Sequence, residues 1–155
     1  QTNHPDIYAA GDVAETKDFL SDDRSIYAIW PTAIDQGRAA GVNMTGKKQV
    51  YPGSLGMNVV ELFNVTLAQL GRFREGPGDS VKMLSPKGDE GSYRKIVVDK
   101  GGTLVGAVYV GNETGVAEMG VIHSAIKRRE HWQGFQEGRP PQFSYGAVMH
   151  NVPRY

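Results

Sequence analysis

A short apolar segment, Ile7-Tyr8-Ala9-Ala10, runs straight into Gly11-Asp12, and a helix signature follows close behind it. Apolar residues ending on Gly-Asp predict a strand that stops at a turn. Such a turn places a carboxylate just past the carboxyl edge of a sheet, where open α/β folds take their ligands. Gly11 lets the backbone approach a ligand closely, and Asp12 can accept hydrogen bonds from a sugar or polyol hydroxyl. The run Trp30-Pro31-Thr32-Ala33-Ile34-Asp35-Gln36-Gly37-Arg38-Ala39-Ala40-Gly41-Val42-Asn43 then opens at a proline, which suits a first helical position because the missing N–H costs nothing there. It predicts a helix from about Pro31 to Thr45. Ala33, Gly37, Ala40, Gly41 and Met44 recur at three- and four-residue spacing, so a stripe of mostly small side chains is expected to lie close against a sheet. Gly46 is placed to cap the helix end.

The rest of the chain changes period. Glu15 to Arg24 is polar and acidic, with Asp18, Asp22 and Asp23, and reads as a surface loop. Lys47 to Gly56 gathers turn formers (Pro52, Gly53, Ser54, Gly56), which marks a domain boundary. From Val59 to Leu70 the sequence is rich in β-branched residues and partly alternating, which predicts two short strands with a kink near Phe63-Asn64. Val81–Leu84 reads as a third strand. Tyr93–Asp99 and Thr103–Val110 read as a hairpin joined through Lys100-Gly101-Gly102. A helix from about Gly115 to Arg129 places Val116, Met119, Ile122, His123 and Ile126 on one face, with Glu113 and Glu118 early and Lys127, Arg128 and Arg129 late, as the macrodipole favours. The fold class expected is therefore α+β.

Composition narrows the function classes. Seventeen basic residues balance seventeen acidic ones, so no global field draws in nucleic acid or an anionic membrane. No apolar run approaches the roughly 20 residues needed to cross a bilayer. Cysteine is absent, which removes disulfides, thiolate metal sites and a cysteine nucleophile from these 155 residues. His4, His123, His131 and His150 show no metal-ligand spacing, so no metal site is expected.

Residues 5–12 and 32–46 resemble the second flavin-binding motif of the pyridine nucleotide-disulfide oxidoreductase family, in its branch with rubredoxin, ferredoxin and nitrite reductase-like flavoproteins. Tyr93-Arg94-Lys95-Ile96-Val97-Val98 followed by Leu104-Val105-Gly106-Ala107-Val108-Tyr109-Val110-Gly111 resembles the central hairpin of that family's C-terminal interface domain, especially in its Leu-Val-Gly-Ala core. The likeness implies the tail of an FAD-binding α/β domain over 1–48, an interface or dimerisation domain of antiparallel sheet and covering helix over 49–130, and an aromatic, proline-containing tail over 131–155. It implies FAD-binding roles for Gly11, Asp12, Val13, Thr32 and Ala33. Asp12 would hold a ribityl hydroxyl, Gly11 would allow close approach, and the Val13 amide would lie near the pyrophosphate or ribityl. The helix N-terminus at Thr32 and Ala33 would face a flavin carbonyl that gains negative charge on reduction. Trp30 is a further candidate to flank the flavin ring.

The family's Gly-x-Gly-x-x-Gly fingerprint has no counterpart here. Gly76-Pro77-Gly78 lacks the third glycine, and Gly101-Gly102 reads as a turn. The chain is accordingly expected to be the C-terminal portion of a larger enzyme. His4-Pro5 precedes the flavin motif, so the catalytic His-Pro-x-x-x-Glu of glutathione-type reductases is not matched, which favours a branch that passes electrons onward. The implied activity is an FAD-dependent oxidoreductase taking hydride from NAD(P)H and handing electrons to a redox acceptor, such as a small electron-transfer protein. The implied setting is a cytoplasmic homodimer. The alternative is a non-catalytic interface module that binds no cofactor by itself.

Overall fold

A computed structural model of the chain describes residues 1–84 and 91–133. Two compact units emerge, one spanning Gln1–Gly56 and one beginning at Met57. Of the tail over 131–155, residues 134–155 lie outside the described residues.

In the first unit, Thr16–Lys17 (β1) and Arg24–Ser25 (β2) form a small antiparallel ribbon, with Thr16 opposite Ser25. The stretch expected as a plain loop is thus pinned at both ends. The Asp18 amide donates to the Asp23 carbonyl at 2.8 Å, and Arg24 pairs with Glu15 at 3.1 Å across the ribbon's mouth. The helix α1 covers Trp30–Met44 with Pro31 in its first turn, and Gly46 follows its end at φ +82° with its amide on the Asn43 carbonyl. Asn43 staples that end by donating to the Gln49 carbonyl at 2.8 Å and accepting the Gln49 amide at 3.2 Å.

Two expectations for this unit require correction. Ile7–Ala10 is not a strand, because a strand exists through its hydrogen-bonded neighbour and no described segment pairs with it. The buried face of α1 is also turned by about one residue from the expected stripe. Thr32, Gln36 and Ala39 are buried, whereas Gly37, Gly41 and Met44 are exposed. Small residues do not by themselves define an inward face; in this unit the polar partners of Gln36 do.

The second unit is a five-stranded antiparallel sheet in the order β3-β4-β7-β6-β5, built from Met57–Leu62 (β3), Val65–Gly71 (β4), Ser80–Leu84 (β5), Tyr93–Val98 (β6) and Leu104–Gly111 (β7). The helix α2, Val116–Lys127, covers one face, entered through a 3-10 turn at Glu113–Gly115. The kink expected at Phe63-Asn64 is a two-residue hairpin turn. Both residues hold positive φ, 51° and 63°, as a type I′ turn requires. Thr66, Ala68 and Leu70 of β4 turn inward beneath α2, together with Ala107 and Tyr109 of β7 and Met119, Ile122, Ala125 and Ile126 of the helix. Arg94 is buried in this layer. It pairs with Glu118 at 3.1 Å, bonds Ser92, and stacks its guanidinium 5.0 Å from the Tyr109 ring. The Tyr109 hydroxyl donates onward to the Asn112 carbonyl at 2.9 Å.

The glycine of the Leu-Val-Gly-Ala run has a steric reason. The chain leaving β4 passes directly over β7, and a Cβ on Gly106 would sit 1.9 Å from the Arg72 carbonyl oxygen. Arg72 donates its amide to Val105 at 3.0 Å at the same crossing, so only a bare Cα fits there.

Candidate functional site

The site residues read from the sequence all lie in the first unit, around the Gly11 turn and the start of α1. The turn closes where the Ala14 amide reaches the Gly11 carbonyl at 2.9 Å, leaving Asp12 and Val13 at its apex. Gly11 is buried at φ +83°, a backbone conformation in which a side chain is strained. Asp12 is exposed and its carboxylate has no hydrogen-bond partner among the described residues, and Val13 is 80% exposed. The turn thus presents a carboxylate and an apolar side chain outward from a fixed backbone.

The same turn abuts the first turn of α1. A Cβ on Gly11 would be 3.5 Å from the Ala33 Cβ, so the turn lies within one methyl's reach of the helix start. Ile29 precedes the helix with no side-chain cap. The Ala33 amide is spent on the Ile29 carbonyl at 3.1 Å and Pro31 has none, so Trp30 and Thr32 supply the first-turn amides that lack an intrahelical acceptor. Ala33 takes part by its methyl, which faces Gly11. Thr32 is buried, and Trp30 stands out at 78% exposure. Gly11, Asp12, Val13, Thr32 and Ala33 are thus brought together on one side of this unit.

One residue bonded to that turn is not expected at the site from the sequence. Gln36, buried on α1, accepts the Gly11 amide on its side-chain oxygen at 2.7 Å. Its side-chain nitrogen faces the Ser54 hydroxyl at 3.4 Å, and Ser54 shares a 2.9 Å hydrogen bond with the Tyr51 hydroxyl. A long polar side chain between small residues on a helix is the available signal, since such a residue goes inward only when its amide finds partners. A cleft of about 590 Å³ borders this network, lined in part by Tyr8, Val13, Gln36, Ala39, Asn43 and Tyr51. Tyr27, which follows β2, donates to the Asp18 carboxylate, and burial together with that carboxylate pushes its phenol well above the usual range. Among the described residues no group of three His, Asp or Glu side chains is placed to hold a metal ion, and no helix is long and apolar enough to cross a membrane.

No protein-family profile matches the chain. It is 35% identical over 71 residues to an NAD(P)H sulfur oxidoreductase (CoA-dependent) of Pyrococcus furiosus, a match covering 46% of this chain and 16% of that protein's length. Among solved structures, an NAD-dependent persulfide reductase from A. fulgidus superposes with a TM-score of 0.77 at 23% identity, over 88% of this chain and 28% of the other. An FAD-dependent pyridine nucleotide-disulphide oxidoreductase from Desulfovibrio vulgaris gives 0.74 at 19% identity, over 90% of this chain and 36% of the other. At these identities the two structures speak for the fold, and this chain spans well under half the length of any of the three.

Proposed function

The chain matches the C-terminal part of FAD-dependent pyridine nucleotide-disulfide oxidoreductases, and from that premise we propose that it supplies the ribityl-side contacts and the interface domain of an FAD-dependent NAD(P)H oxidoreductase. The observation that carries the reading is the juxtaposition of the Gly11 turn, bonded to α1 through Gln36, with the uncapped start of that helix. The residues present fit a flavin: an exposed carboxylate without a partner among the described residues, beside a left-handed glycine, a helix end with open amides, and the exposed apolar side chains of Val13 and Trp30 next to them in sequence. Bound FAD would take hydride from NAD(P)H and release electrons to an acceptor.

This chain's residues bind and orient. Asp12 accepts a hydrogen bond from a polyol hydroxyl, the Val13 amide stands ready for an anionic or carbonyl oxygen, and the Thr32 amide with the positive end of α1 stabilises negative charge. The name of the Pyrococcus furiosus relative favours a sulfur compound as acceptor, and a small electron-transfer protein is the alternative. The setting proposed is a cytoplasmic homodimer. Val60 lies opposite Leu67 and Leu62 opposite Val65 on the sheet face away from α2, all of them exposed, which supports an interface role for the second unit.

The test is flavin content in the full-length protein that carries this chain. The purified protein is expected to be yellow, and Asp12→Ala is expected to weaken FAD retention about tenfold, the effect of losing one hydrogen bond to a charged group. A colourless protein that ignores added FAD sinks the flavin reading and leaves the non-catalytic interface module standing. Unchanged flavin content in Asp12→Ala removes Asp12 from the site.

A further inference from the structure

We propose that Gln36 is the positioning residue of the site, setting the direction in which the Gly11 turn presents Asp12 and the Val13 amide. The inference rests on the flavin reading above but concerns a residue that reading does not use. At φ +83° the Gly11 amide is directed into the protein, where an unpaired N–H is costly. Its acceptor is not local. It is the Gln36 oxygen at 2.7 Å, twenty-five residues further on. The orientation of the turn is therefore read from the helix rather than from its own sequence.

The Gln36 amide is itself held. Its nitrogen faces the Ser54 hydroxyl at 3.4 Å, a distance that orients the amide more than it adds energy. A flip would set the side-chain NH2 against the Gly11 N–H and is disfavoured. Ser54 is locked in turn. Its amide donates to the Lys17 carbonyl at 2.9 Å, its carbonyl accepts the Phe19 amide at 2.9 Å, and its hydroxyl meets Tyr51. Gln36 also lies one turn past Thr32 and Ala33 on the same helix. A single side chain thus links the carboxylate-bearing turn and the amide-bearing helix end, and fixes one with respect to the other.

The experiment compares Gln36→Met, Gln36→Glu, Ser54→Ala and Asp12→Ala in the full-length protein. It reads the FAD dissociation constant, the visible circular dichroism of the bound flavin, and hydrogen exchange of the Gly11 amide. Gln36→Met keeps the length of the side chain and removes the acceptor. It is expected to raise the FAD dissociation constant about tenfold, from the cost of one unsatisfied buried donor, to alter the flavin dichroism, and to speed exchange at Gly11. Gln36→Glu keeps an acceptor oxygen and is expected to weaken FAD binding less than Gln36→Met despite the cost of a buried carboxylate, with Gly11 exchange near that of the parent, a split that packing alone would not produce because Met fills the same length.

If Gln36→Met binds FAD like the parent while Asp12→Ala does not, the positioning role is overturned and the flavin reading survives. If the parent itself binds no FAD, the flavin reading falls, and Gly11 exchange then decides alone: faster exchange in Gln36→Met upholds the tie, and unchanged exchange overturns it. Should Gln36→Met not fold, Ser54→Ala carries the test. It is expected to weaken FAD binding about two- to threefold and to loosen Gly11, consistent with losing only the bond that orients the amide. No change in either quantity overturns the proposal.

Discussion

The two units are ordered by different means. From Met57 onward the buried residues are overwhelmingly apolar: Leu70, Ile96, Val97, Leu104, Ile126 and Tyr109 have almost no exposure. Over Gln1–Gly56 the buried apolar residues are Ala39 and Leu55, while Thr16, Thr32, Gln36 and Ser54 are buried with them. The second unit is held by area removed from water, which is non-directional and tolerant of small shifts. The first is held by hydrogen bonds that work only at particular distances and angles. A scaffold of that kind contributes little stability per residue, yet it fixes directions closely, which suits a segment whose task is to aim a carboxylate and an amide.

The contrast can be broken most sharply in the core beneath the sheet. Ile126→Ala is expected to cost about 3 kcal/mol or more by opening a cavity under β4 and β7, read by denaturant unfolding, with Gly11 amide exchange unchanged. A loss below about 1 kcal/mol would mean that burial does not hold this unit. Arg94→Met is expected to cost about 2 kcal/mol, because it strands Glu118, and the estimate is discounted because that carboxylate is a third exposed. Pairing it with Glu118→Leu should recover most of the loss. In the first unit, Tyr51→Phe removes only the hydrogen bond to Ser54 and is expected to cost about 1 kcal/mol, with faster exchange around Gln36 as the local signature.

The smallest effect expected is a pH dependence. The Tyr27 phenol is raised by burial and by Asp18, so folding favours its protonated form. The stability it contributes is fully present below the ordinary phenol value of about 10 and is lost as the pH climbs beyond it. Melting of the first unit should therefore fall on the alkaline side in the parent and flatten in Tyr27→Phe. An equal alkaline fall in the variant would assign the effect elsewhere.

The second unit was far more legible in the sequence than the first, and the same contrast explains why. Periodicity reports burial against water, so the β6–β7 hairpin and the α2 face of Met119, Ile122 and Ile126 could be read directly. Periodicity says nothing about which polar side chain will find partners inside. Gln36 stood in plain view between small residues, and only the positions of Gly11 and Ser54 give it a reason to turn inward. Small residues along α1 suggested a stripe one residue away from the true face for the same reason. Ile7–Ala10 looked like a strand because composition records what a segment tolerates, whereas pairing depends on a neighbour. The Gly-Asp turn itself was legible, since a left-handed glycine and an exposed carboxylate are both local properties.

The crossing at Gly106 also bears on the order of assembly. β3 and β4 are neighbours in sequence, and β5, β6 and β7 pair in succession, so each group can form from short-range contacts. They are paired along the β4–β7 ladder, which runs from Thr66 opposite Gly111 to Gly71 opposite Gly106 and closes a long loop. That docking is expected to be the slow, entropy-limited event, and it brings Arg72 over a strand position with no side chain. Gly106→Ala is expected to lower stability by about 2 kcal/mol through overpacking and to place much of the loss on the folding limb of a stopped-flow chevron. A loss confined to the unfolding limb would mean that the two halves of the sheet meet before the crossing is made. A loss on the folding limb makes the glycine in the Leu-Val-Gly-Ala signature a mark of how fast this sheet can close as well as of how tightly it packs.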